Sequence, residues 1–122
     1  MLTRASSLCI LVVALALSGC SSAAPSEQLG TIDSIETLRD AYVAAGGACE
    51  WEAIDERSGN CAGDAILVLT ESEEQEADIL ATYEAVAGLA PSTVLVGENW
   101  ILNAPDAAEV QDALGGEVRV FD

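Results

Sequence analysis

An apolar run of ten residues near the start of the chain, 8–17 (LCILVVALAL), most limits what can fold here. Thr3 and Arg4 precede it as a short positive region. The run is too short to cross a bilayer as a permanent helix, which needs about 20 apolar residues. This is the anatomy of an export signal, which is removed and contributes nothing to a core.

The run ends in Leu17-Ser18-Gly19-Cys20, which resembles the bacterial lipobox. The resemblance implies transfer of diacylglycerol to the Cys20 thiol and cleavage just before it. Two acyl chains anchor a protein stably where one is marginal. An ordinary secretory signal cut near Ser22, Ala23 and Ala24 stays open as the alternative, with Cys20 then discarded. The expected division is a lipoprotein signal peptide over 1–19, a lipidated flexible tether over 20–30 and a single α+β domain over 31–122. Cleavage before Cys20 leaves 122 − 19 = 103 residues, enough for one domain with a small core.

All 21 acidic residues follow Cys20, and of the four basic residues only Arg39, Arg57 and Arg119 do, so the mature chain carries 3 − 21 = −18. Such a surface repels phosphate backbones and anionic headgroups. Nucleic acid is therefore not an expected partner, and membrane contact is expected only through the anchor at Cys20. The acids are spread along the chain, as on a solubilising surface. There is no histidine, which removes Ser-His-Asp and Cys-His catalysis and the commonest zinc and copper ligand. No cofactor and no catalytic residue is expected. Calcium lacks support too, since residues 55–60 (DERSGN) with Gly63-Asp64 do not supply the alternating ligands of an EF-hand loop.

With Cys9 in the signal and Cys20 acylated, Cys49 and Cys61 remain in an oxidising compartment, where they read as one disulfide. A redox pair or half of a metal site competes, but the spacing is not C-x-x-C.

Periodicity orders the rest. Residues 21–30 (SSAAPSEQLG) read as a spacer. Asp33 and Glu36 form a capping box ahead of a helix with Ile35, Leu38, Tyr42 and Ala45 on one face, stopped at Gly46-Gly47. Residues 49–54 alternate as a half-buried strand, DERSGN reads as the turn, and 62–69 follow as a central strand. A hairpin turning there leaves Cys49 and Cys61 too far apart to bond, so the first strand is expected to be irregular or at an edge. Ser72 and Gln75 cap a second helix running to about Ala87, its first turns crowded with Glu71, Glu73, Glu74, Glu76 and Asp78, as the helix dipole favours. Residues 93–96 and 100–103 form a hairpin, Pro105 starts a third helix packing through Ala107, Val110 and Leu114, and 117–121 end the chain as a strand with Val118 and Val120 inward.

That order gives the expected fold class: α+β, a small antiparallel sheet with helices packed on one face. Its core is a ferredoxin-like split βαβ unit over 62–121, extended by an N-terminal helix and a disulfide-pinned segment. Two helix-strand-strand repeats, over 35–69 and 72–103, are the alternative.

Gly47-x-Cys49-x-Trp51, Cys61, residues 96–100 (VGENW) and Leu114-Gly115-Gly116 together resemble small exported lipoproteins of actinobacterial type. That resemblance implies location and carries no activity. Trp51 and Trp100 are the candidate partner surface, with large core fillers as the plainer reading. The functional expectation is a membrane-anchored, extracytoplasmic lipoprotein acting as a non-enzymatic binding or interaction module beside an envelope protein partner. The alternatives are a stand-alone ligand or divalent-cation binder and, more remotely, a small carboxylate-dependent hydrolase.

Overall fold

A computed structural model of the chain describes residues 28–62 and 64–122. The signal stretch, Cys20 and tether residues 20–27 lie outside the described residues. The elements are α1 (Ile35–Ala44), β1 (Trp51–Asp55), β2 (Ser58–Cys61), β3 (Ala65–Leu69), α2 (Glu73–Ala85), β4 (Ser92–Val96), β5 (Trp100–Asn103), α3 (Gln111–Leu114) and β6 (Glu117–Phe121). Six strands form one sheet in the order β1-β2-β3-β5-β4-β6, every pair antiparallel.

The alternation of β-strand side chains divides the core between two faces. Leu67, Leu95, Trp100 and Leu102 point to one face, where Ile35, Leu38 and Tyr42 of α1 and Leu114 of α3 pack on them. Ala104, Ala107 and Val110, ahead of α3, complete this main core. Val94, Val96 and Ile101 point the other way and meet Ile79, Leu80 and Tyr83 of α2. Thus α1 and α3 share one face, as expected of the helices, while α2 lies across the sheet from them.

Connection handedness explains the split. The units β3-α2-β4 and β5-α3-β6 each join parallel strands with one strand between, and each steps the same way along the sheet. Because β3 and β5 run antiparallel, crossovers of one hand must pass over opposite faces. In a ferredoxin-like sheet the last strand returns beside the first, here β3. Instead β2 holds that place and β6 pairs with β4, so the expected core topology is corrected at its last strand. The β1-β2-β3 meander has already filled the edge that β6 would have taken.

Four local expectations are also corrected. The β1–β2 turn is Glu56-Arg57 alone, because Asp55 accepts from the Arg57 N–H at 2.8 Å and the Ser58 hydroxyl at 2.9 Å and closes the chain at once. Those donors also hold the Asp55 carboxyl below its ordinary range. Trp51 then pairs with Cys61, and Cys49 comes within 4.4 Å of Cys61 between Cα atoms, so hairpin and disulfide coexist. The α1 N-cap is Ser34, one residue after Asp33, and accepts from the Thr37 N–H. Residues 105–110 form successive turns, and regular α3 begins only at Gln111. Val120 is 61% exposed because β6 is an edge strand with no helix over that position.

Candidate functional site

The described chain enters through a segment tied to one end of the sheet. The Leu29 N–H donates to the Leu114 carbonyl at 3.0 Å, and the Trp100 indole N–H donates to the Gly30 carbonyl at 2.9 Å. The Thr31 hydroxyl donates to Glu98 Oε1 at 2.7 Å. Asn99 clamps Ile32 twice, accepting from its N–H at 3.0 Å and donating to its carbonyl at 2.8 Å. The amide side chain thereby acts as one more strand position, satisfying both backbone groups of a buried residue. Asn99 is also held by its own carbonyl, which accepts from the Thr70 N–H at 2.8 Å.

Between this segment, the β4–β5 turn and Gly115-Gly116 lies a cleft of about 550 Å³ lined by Gln28, Gly30, Gly97, Glu98, Trp100 and Glu117, among others. Backbone makes much of its wall. A Cβ on Gly97 would overlap the Trp100 ring, and one on Gly116 would stand 2.7 Å from the Val96 carbonyl oxygen. Both glycines are therefore seats for their neighbours. The cleft offers two carboxylates, Glu98 and Glu117, and no basic side chain.

Trp100 is 1% exposed, which removes it from any partner surface. Its burial follows from its place in β5 against the main core and from the hydrogen bond that satisfies its indole. Trp51 is half-buried on β1, its ring over Gly59, with the Arg39 guanidinium 5.5 Å from the ring centroid. Strands β2 and β3 separate β1 from β5, so the two tryptophans sit about 14 Å apart by strand spacing and form no joint patch.

Cys49 and Cys61 are bonded beside Trp51, on the main core. Glu71, Glu73, Glu74 and Asp78 stand exposed around the start of α2, where Ser72 accepts from the Gln75 N–H and Gln75 returns to the Glu71 N–H. Among the described residues no three cysteines or carboxylates converge as metal ligands, and no helix is long and apolar enough to cross a membrane.

Nothing in the sequence marks Asn99 as a clamp, since Gly97-Glu98-Asn99 has only the signature of a hairpin turn. Nor does any local signal mark Asp106, which accepts from the buried Tyr42 hydroxyl at 2.8 Å. Burial first, then that carboxylate, pushes the Tyr42 phenol well above its ordinary range. A third aromatic seat completes the pattern, since a Cβ on Gly47 would overlap the Tyr42 ring. Gly47, Gly97 and Trp100 belong to the motifs singled out above, and they serve packing.

The chain matches no protein-family model, no curated protein and no solved structure.

Proposed function

We propose that this protein is an extracytoplasmic lipoprotein, anchored through Cys20, that acts as a non-enzymatic interaction module beside an envelope protein. The observation that carries the reading is Leu17-Ser18-Gly19-Cys20 directly after a ten-residue apolar run. The pinning of residues 29–32 supports it, because a domain held by its N-terminal end needs that end fixed to the core. Only the seven residues 21–27 lie between Cys20 and Gln28, a span of at most about 28 Å, so an anchored domain stays close to the bilayer.

Cell fractionation with metabolic palmitate labelling tests this. Wild type is expected in the membrane fraction with label, and Cys20→Ala in the soluble fraction without it. A Cys20→Ala protein held as firmly as wild type overturns the anchoring. Crosslinking in intact cells then tests the module: one protein joined in high yield only to the anchored form supports it, and no discrete partner counts against it.

A ligand or divalent-cation binder acting alone is the second reading, favoured by the carboxylates of Glu98 and Glu117 on one cleft. Calorimetry with calcium on the soluble domain decides it. Micromolar binding supports this reading, and silence retires it for calcium.

A further inference from the structure

The sheet ends in two unlike edges. β1 is interrupted by a register shift between Ala53 and Asp55, a bulge of the kind that blunts an edge. β6 has no such device: all five residues pair in unbroken register with β4, and Val120 stands exposed on it.

The direction of its backbone groups follows from the neighbouring ladder. Ala104 N–H donates to the Thr93 carbonyl and Gly97 N–H to the Trp100 carbonyl, so the odd residues of β4 turn their backbone groups toward β5. The even residues, Ser92, Val94 and Val96, therefore face Phe121, Arg119 and Glu117. It follows that Val118 and Val120 direct their N–H and C=O groups out of the sheet.

We propose that β6 is a homodimerisation edge, pairing antiparallel with β6 of a second copy about a twofold axis at Val118. This register sets Val118 against Val118 of the second copy, in a position where both backbone groups of each can bond across. It also sets Glu117 against Arg119 of the second copy, twice over, all four side chains lying on the α2 face and exposed. Within one chain Glu117 and Arg119 already stand 3.4 Å apart, so the pairing closes a ring of alternating charge. The next register would oppose Arg119 to Arg119, which like charge disfavours. Charge complementarity thus selects both the occupant and its register.

The contact is small, and a net charge of −17 on the whole chain opposes association in free solution. Here the inference rests on the anchoring reading, because a shared bilayer raises the effective concentration of each copy. The geometry is compatible with that. A twofold axis perpendicular to the sheet leaves both copies of residues 29–30, which pack on the main-core face, on the same side, so both tethers can reach one membrane.

Disulfide trapping in the full-length chain tests the proposal. Across the twofold axis the Val118 Cα atoms should lie about 5.5 Å apart, within the range a disulfide spans. Membranes carrying Val118→Cys are expected to give a crosslinked dimer under mild oxidation. Leu89→Cys, at a 92% exposed site outside β6, should not. Val120→Pro removes one outward N–H and none of the β4 ladder, so adding it to Val118→Cys should abolish the crosslink. Glu117→Arg should lower the yield about tenfold, and Glu117→Arg with Arg119→Glu should restore it. A Val118→Cys yield no higher than that of Leu89→Cys, or one indifferent to Val120→Pro, overturns the proposal. Fractionating the same samples keeps the two claims apart. Protein in the soluble fraction defeats the anchoring and with it the pairing that rests on it, whereas membrane-bound protein that gives no crosslink defeats the pairing alone.

Discussion

The two faces of this sheet are built to different standards. On the face of α1 and α3, Ile35, Leu38, Leu67, Leu95, Trp100, Leu102 and Leu114 are each no more than 1% exposed, and the disulfide and the pinned residues 29–32 border the same core. On the other face α2 has no buried residue and rests through three half-buried side chains on Val94, Val96 and Ile101. Beyond the reach of α2, Ile66 is 39% exposed on that face. Burial per side chain sets most of the stability of a small domain, so the first face should carry the fold and α2 should be the first element to open.

Truncating one side chain on each face should separate the two faces. Leu67→Ala should cost about 2–5 kcal/mol in denaturant unfolding, a large share of the stability of so small a domain. Leu80→Ala on α2 should cost less, about 1 kcal/mol, since that side chain is only partly buried and its loss leaves no enclosed cavity. Equal losses would mean that α2 belongs to the core as fully as α1.

Next in size is the staple. Cys49→Ala with Cys61→Ala should lose about 3 kcal/mol, the chain-entropy value for a loop of this length, lowering Tm without changing the α2 face. An unchanged Tm would show that the main core stands without it. Asn99→Ala should follow at about 1–3 kcal/mol, because it leaves both backbone groups of Ile32 without partners. Hydrogen exchange should then report new exposure at Ile32 while the amides of α2 stay as they were.

The smallest effect is in alkali. The folded protein holds the Tyr42 proton beyond the pH at which an unfolded tyrosine releases it, so this contribution is complete below about pH 10 and is lost as pH rises above it. Asp106→Asn, which keeps an acceptor but removes the charge, should move the loss. A pH profile that Asp106→Asn leaves unchanged would assign the shift to burial alone.

Much of this arrangement could be read from the chain, because its signals are local. The face of α1 through Leu38 and Tyr42, the cap at Ser72, the β4–β5 hairpin and the cysteine pairing all depend on spacing or compartment. The strand order could not, since the place of β6 depends on which edge β1 and β2 had already occupied. The turn was misplaced because Ser58, Gly59 and Asn60 have turn-like composition, although Gly59 is a strand residue that makes room for Trp51. Asn99 and Asp106 were invisible for the same reason: each serves a partner more than 60 residues away in the chain.

The decisive measurement is the intact mass of the full-length protein extracted from membranes without reduction. The expected chain begins at Cys20, carries a diacylglycerol adduct on it, and lacks the two hydrogens of a Cys49–Cys61 disulfide. An unlipidated chain beginning after residue 20, or one with two free thiols, would contradict it.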